Sequence, residues 1–267
     1  MKRKTIALIL GAAALLCLLA FLSLRYLRSK PEPELRQYFT PPVEKSAEAL
    51  DTREAATSEK LAEPEEYVSP VDFEGLWEVN EDIYAWLYIP NTDISYPLLQ
   101  SPDDDSYYLR RSMERRYDEN GVLFTEASYN GTDLSDPVTI VYGHNMKNGL
   151  MFSDLQSSYS SAEKLAEHSE IIVYLPDREL HYAVFAAIPF DNRHILCNYD
   201  FTNKRIFRLF LNEILSVRAL EASFAEDTPV GTEDRLLILS TCLQGNRSNR
   251  FLVCAKLDET IPTRFVK

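Results

Sequence analysis

The sequence predicts a mainly β domain with added helices, folded as a barrel or a sandwich. Three observations carry this. Short β-branched and aromatic runs recur between turn residues, near 87–89, 96–99, 122–124, 138–142, 171–174, 180–188, 236–240 and 251–257. One long stretch, 202–220, interrupts them with Ile206, Leu209, Phe210, Ile214 and Val217 at helical spacing and without Gly or Pro. A leading stretch, 72–86, offers Phe73, Leu76, Trp77, Ile83 and Trp86 as the apolar stripe of another helix.

The ends set the organisation. Residues 5–24 carry no charge and follow Lys2, Arg3 and Lys4. A helix of about 20 apolar residues spans a bilayer core of about 30 Å. A cleaved signal peptide has an apolar region of about 7–15 residues closed by small residues, and no small-x-small pair closes this one. Residues 1–30 are therefore expected to be a cytoplasmic tip and a retained transmembrane anchor. Arg25, Arg28 and Lys30 nearly balance the leading charges, so charge counting alone does not orient it. Residues 31–70, acidic and rich in Glu, Pro, Ala and Ser, read as a flexible linker. Residues 71–267 suffice for one domain with a sizeable core.

The formal net charge is −13, and residues 1–30 contribute +6, which leaves −19 beyond them. That excludes a nucleic-acid binder of the ordinary kind, since such binding runs on phosphate neutralisation by Lys and Arg. Asp103-Asp104-Asp105 lacks the spaced oxygen ligands and glycine of a calcium loop and reads as solvated turn residues.

The chemistry gathers near the C-terminus. Residues 235–239 and 251–255 read as paired strands around the polar turn Gln244-Gly245-Asn246-Arg247-Ser248-Asn249. A hairpin symmetric about Asn246 sets Cys242 opposite Arg250, and directly opposed residues share one face of a sheet. A guanidinium beside a thiol favours the thiolate and can hold a developing oxyanion. The competing reading is a small buried cysteine beside a surface arginine. The strand at 138–142 runs straight into Gly143-His144-Asn145-Met146, which puts His144 at a strand end, a common place for catalytic groups. A cysteine and a histidine joined by the fold form the arrangement of a thiol acyl-transfer enzyme. His168, His181 and His194 lack such a context and read as structural. Gly143 and Gly149 read as turn glycines.

The other cysteines are too few and scattered for a disulfide framework or a zinc site. Cys17 lies in the apolar segment. Cys254 falls roughly 14 Å along the strand from the position facing Cys242, at about 3.4 Å per residue, too far for a disulfide. Cys197 reads as structural.

These residues resemble class B sortases. Tyr142-Gly143-His144-Asn145-Met146-Lys147-Asn148-Gly149, with Met151-Phe152 and Asp154-Leu155, is similar to their histidine segment. Leu239-Ser240-Thr241-Cys242 is similar to the cysteine segment, and Asn249-Arg250-Phe251-Leu252-Val253 to the arginine segment. The stretches 86–92, 94–100, 107–109 and 121–124 agree as well, so the resemblance covers roughly 75–258 in order. It departs just after the cysteine, where Leu243-Gln244-Gly245-Asn246 replaces an aromatic and acidic segment and the loop to the arginine is short.

The resemblance implies a closed β-barrel with an N-terminal helix and a long helix before the cysteine strand. It implies a membrane-anchored cysteine transpeptidase of a Gram-positive type of envelope, with its catalytic domain outside the cell. Cys242 would be the nucleophile attacking a threonine carbonyl in a C-terminal sorting signal, His144 the acid, and Arg250 the oxyanion or backbone holder. Arg247 competes for that last role, and Arg250 is preferred for its register with Cys242. Ser240, two residues before the nucleophile on the same strand face, is a candidate substrate contact. No metal or organic cofactor is implied. The partners implied are secreted proteins bearing the signal and an amine acceptor, either a cell-wall precursor or, as an alternative, a pilin lysine. A non-catalytic anchored binding module on the same barrel is the further alternative.

Overall fold

The computed structural model describes residues 35–42, 68–146 and 149–263. The expected anchor at 5–24 and most of the expected linker lie outside them. No helix among the described residues is long and apolar enough to cross a membrane.

The strands are β1 Ile83–Tyr88, β2 Ser95–Leu99, β3 Leu123–Phe124, β4 Val138–Tyr142, β5 Glu170–Tyr174, β6 Arg178–Phe190, β7 Ser223–Phe224, β8 Leu236–Leu243 and β9 Asn246–Pro262. The helices are α1 Phe73–Val79, α2 Leu155–Ser158, α3 Ala162–Glu167, α4 Ile195–Asn198 and α5 Lys204–Ser216. In space the strands run β5-β1-β2-β3-β4-β8-β9-β6, and β6 pairs again with β5, so eight strands close into a barrel. Strand β7 lies against β6 at Ala186 and Ala187, beyond the stretch that pairs with β5. Of the barrel and the sandwich, the chain adopts the barrel, which leaves no open edge in the ring.

One pairing matters most for the site. Strands β4 and β8 are parallel, with Val138 level with Leu236 and Tyr142 level with Ser240. Parallel neighbours finish at the same end of a barrel. Two residues beyond these partners stand His144 and Cys242.

The leading helix is shorter than its apolar stripe suggests. It stops at Val79, and Asn80 is extended at φ −161°. Asn80 is 3% exposed, and its side-chain amide donates to the Tyr108 hydroxyl at 2.8 Å and the Met113 carbonyl at 2.7 Å. Ile83 and Trp86 therefore belong to β1, paired with Leu99 and Pro97, and not to a helix. A short apolar run fits either period, and the tertiary pairing decides.

The long helix forms where expected but is trimmed to Lys204–Ser216 and turned. Asn203 caps it, accepting from the Arg205 and Ile206 amides, a contact worth about 1 kcal/mol. Its buried face is Phe207, Phe210, Leu211 and Ile214, while Leu209 is 55% exposed. Phe207 and Phe210 both meet Phe201 edge-on, which selects this face. The face packs on Leu236, Ile238, Leu252 and Cys254, the side of β8 and β9 that carries Cys242 further along. The helix thus covers the middle of that face and leaves the strand ends open.

Part of the stretch expected to be a linker is docked. Phe39 bridges to Val71, is 6% exposed, and lies 5.5 Å from the Trp86 ring and 5.4 Å from Tyr174. An aromatic ring among polar neighbours finds apolar surface to bury, and the mostly polar composition of the stretch hides it.

His181, read as structural, donates from both ring nitrogens, at 2.8 Å to Glu170 and 3.2 Å to Glu179. Those carboxylates raise its pKa to about 9. The folded value exceeds the unfolded one, so the stabilisation is full below about pH 6.5 and is lost as pH rises through about 9. Thermal melts should show the wild type losing about 5 °C more than His181→Gln between pH 6 and pH 10. Parallel pH profiles for the two proteins would refute this coupling.

Candidate active site

The site is assembled from the ends of β4, β8 and β9. Cys242 pairs with Arg250 across the hairpin, and the guanidinium Nη1 lies 3.9 Å from Sγ. The same group donates to the Asn249 carbonyl at 3.4 Å. On the far side Arg250 pairs with Phe190 of β6.

The Cys242–Arg250 pairing is the one expected, but the hairpin reaches it differently. It is not symmetric about Asn246. Leu243 pairs with Asn246 across the two-residue turn Gln244-Gly245, with Gly245 in the left-handed region at φ +81°. Positive φ at the second central residue alone is the type II pattern, a position that favours glycine. A register shift between Cys242 and Leu243 absorbs residues 247–249. Arg247 consequently belongs to the irregular start of β9 and not to the turn. Gln244 donates its amide to Gln156 of α2 at 3.0 Å, which ties the turn down.

The histidine loop is laced to the cysteine strand. Gly143 donates its amide to the Ser240 carbonyl at 3.2 Å, Thr241 Oγ1 donates to the Gly143 carbonyl at 2.7 Å, and the Asn145 amide donates to the Cys242 carbonyl at 2.9 Å. His144 is thus flanked on both sides by residues bonded to 240–242. Its Nε2 lies 2.7 Å from the Leu109 carbonyl. A carbonyl only accepts, so Nε2 carries a proton in this arrangement. The structure brings Cys242 and Arg250 side chains together, and it brings the His144 backbone level with them while the imidazole binds Leu109.

Gly143 serves close approach and not a left-handed turn. A Cβ there would come within 2.5 Å of both Leu123 and Phe152. Gly149, at φ +80° with open space around it, is the turn glycine of the pair.

Ser240 lies on the Cys242 side of β8, as alternation requires, but is 5% exposed. Its carbonyl, bonded to Gly143, is its visible contribution. Asn145, Thr241 and the Leu109 carbonyl were missed from the sequence as parts of the site. Asn145 adjoins His144 and could have been singled out as a polar neighbour. A backbone carbonyl leaves no residue-type signal at all.

Among the described residues all three cysteines are free. Cys254 is fully buried, and burial pushes its thiol far above the ordinary range. Cys197 is exposed, on α4. Asp104 caps its own turn by accepting from Ser106, and Asp105 accepts from the Ser128 amide, as solvated turn residues do.

Comparison with known proteins bears on this arrangement. A sortase domain model matches residues 87–258. Sortase B of Listeria monocytogenes is 29% identical over 196 residues, covering 73% of this chain and 75% of the relative. Sortase B of Staphylococcus aureus is 28% identical over 217 residues, covering 78% and 86%. The solved Staphylococcus aureus sortase B–substrate complex superposes with a TM-score of 0.61 at 26% identity, covering 70% of this chain and 84% of that one. The match runs from within β1 to within β9, over nearly the whole barrel and all three strand ends, and the same class recurs among relatives and solved structures: the chain belongs to the sortase family and is a class B cysteine transpeptidase.

Proposed function

We propose that this transpeptidase cleaves a C-terminal sorting signal after threonine and transfers the threonyl group to a cell-wall amine, with Cys242, His144 and Arg250 as its catalytic residues. The observation that carries the reading is the Arg250 guanidinium 3.9 Å from the Cys242 sulfur, at the barrel end where the His144 loop is bonded to residues 240–242.

In this mechanism the Cys242 sulfur attacks the threonine carbonyl carbon. Arg250 donates to the oxygen on which negative charge develops. His144 gives a proton to the departing amide nitrogen, which leaves poorly without one. The Leu109 carbonyl holds the Nε2–H, which leaves Nδ1 to carry the mobile proton. A thioacyl-enzyme results, and the acceptor amine attacks it, returning the thiol. Ser240, being buried, supports the loop through its carbonyl rather than the peptide through its hydroxyl.

The transfer is tested by incubating the full chain with threonine-containing signal peptides and two amines, triglycine and Nα-acetyl-lysine amide. Mass spectrometry should find threonine joined to the glycine amine. Transfer only to the lysine side chain would replace the wall reading with pilin joining, and cleavage elsewhere than after threonine would overturn the proposal.

We further propose that residues 5–24 anchor the protein with the catalytic domain outside the cell. The length and apolarity of that segment support the anchor, and membership of a family that acts at the cell surface supports the orientation. Protease added to intact protoplasts should digest the domain. Protection of the domain, or a processed soluble form lacking 1–30, would reject the topology.

A further inference from the structure

The carbonyl that holds His144 is itself held from two sides. Leu109 lies in a short 3-10 helix, Tyr107–Arg110, and the Tyr108 side chain beside it is 1% exposed. The Tyr108 hydroxyl donates to the Asp82 carboxylate and accepts from the Asn80 amide at 2.8 Å. Asp82 is paired in turn with Arg115 at 3.1 Å. From the other side, the backbone of Gly121 abuts the same peptide groups. A Cβ on Gly121 would fall 2.6 Å from the Leu109 carbonyl oxygen and 2.7 Å from that of Tyr108. The Val122 amide donates to the Tyr108 carbonyl at 3.2 Å, which keeps the two segments in that contact.

We propose that Gly121 and Tyr108 are positioning residues of the transfer reaction, fixing the Leu109 carbonyl so that it aims the His144 imidazole at the leaving amine. This rests on His144 being the acid, as proposed above.

The backbone bonds of Gly143 and Asn145 to residues 240–242 place the His144 main chain, but they leave its side-chain torsions open. The ring needs a second fixed point. The Leu109 oxygen, 2.7 Å from Nε2, supplies one. An acceptor directs a ring only as well as its own peptide is held, and Tyr108 and Gly121 do the holding. Glycine answers two demands at 121. Its φ of +57° lies in the left-handed region, and the Leu109 oxygen occupies the space a side chain would take. Gly149 shows the contrast, since its φ is also positive but nothing lies within 4 Å of its added Cβ. Any side chain at 121 therefore pushes the Leu109 oxygen, and the imidazole bonded to it moves or loses its partner.

The test uses the full chain in detergent micelles, in excess over peptide and at saturating concentration. A threonine-containing signal peptide is supplied in two forms, one with the ordinary amide after threonine and one ending as a threonine phenyl thioester. Formation of the thioacyl-enzyme is followed by mass spectrometry. The amine of the first form leaves only with a proton, whereas the thiophenolate of the second leaves without one. Gly121→Ala should slow the amide reaction about ten- to hundred-fold, as a misplacement approaching 1 Å does, and leave the thioester reaction nearly unchanged. His144→Gln should show the same selectivity more strongly. A fault in folding or peptide binding would slow both forms alike. Equal slowing of the two forms in folded Gly121→Ala, or none, overturns the proposal, and a selective His144→Gln then still keeps His144 as the acid. A His144→Gln without that selectivity removes the acid and this proposal with it. Should Gly121→Ala not fold, Tyr108→Phe, which adds no atom, is judged on the same two rates, with an amide-selective loss of several-fold expected.

Discussion

Replacing Cys242 with alanine should abolish cleavage of a sorting-signal peptide, while Cys197→Ala and Cys254→Ala retain most of it. The reason lies in three different surroundings. Cys242 is partly exposed at the end of β8, with a guanidinium 3.9 Å from its sulfur and its carbonyl bonded to the residue after His144. Cys254 is on the same sheet face but twelve residues on, sealed beneath α5 in the cluster that contains Phe207 and Phe210. No peptide reaches it, and burial holds its thiol protonated. Cys197 is accessible but sits on α4 beside Tyr129 and His194, a histidine with both nitrogens engaged. It has no arginine at bonding distance among its described contacts. Removing a covalent nucleophile leaves only binding and the remaining donors, so residual turnover in Cys242→Ala should fall below detection. Cys254→Ala should cost stability through a small cavity, visible in melts and not in turnover per folded molecule. Loss of activity in Cys197→Ala with activity kept in Cys242→Ala would remove Cys242 from the mechanism.

The sequence was most legible where one local rule had no competitor. Strand β4 is a β-branched run with a polar loop after it, and its observed bounds are the expected ones. The pairing of Cys242 with Arg250 was also reached, though through a symmetric hairpin the chain does not make. The error was harmless because moving the turn to Gln244-Gly245 leaves three extra residues on the β9 side, and the register shift takes up 247–249. Periodicity failed at 80–86, where Asn80 invests its side chain in Tyr108 and Met113 and turns the chain into β1. Only the fold could reveal that investment. The rotated face of α5 has the same origin, since Phe201, outside the helix, decides which phenylalanines turn inward. The parallel alignment of β4 with β8 was illegible for a deeper reason. More than ninety residues separate His144 from Cys242, and no local preference fixes a register across such a gap. The Leu109 carbonyl beside His144 belongs to the same class of long-range facts.

Arg250→Ala should lower kcat by about 10²–10³, or roughly 3–4 kcal/mol, the usual cost of an oxyanion donor. The melting temperature should change little. The residue lies at the open strand end, partly exposed, and beyond the cluster covered by α5. Its backbone pairing with Cys242 and Phe190 does not need the side chain. Arg250→Lys should recover little, because a point charge on a flexible stem cannot reproduce the planar, multi-donor guanidinium, whose Nη1 already lies against both the sulfur and the Asn249 carbonyl. Arg247→Ala should stay within a few-fold of wild type, since Arg247 lies in the residues absorbed by the register shift and has no partner position opposite Cys242. The split between constants adds a second check. A donor that acts only on the developing oxyanion lowers kcat and kcat/KM together, whereas one that merely holds the bound peptide raises KM and spares kcat. Steady-state kinetics on the three variants therefore separate the roles. Near-normal turnover in Arg250→Ala with collapse in Arg247→Ala would transfer the role to Arg247. A pure KM effect in Arg250→Ala would make the guanidinium a peptide anchor and leave the oxyanion to other donors at the barrel end.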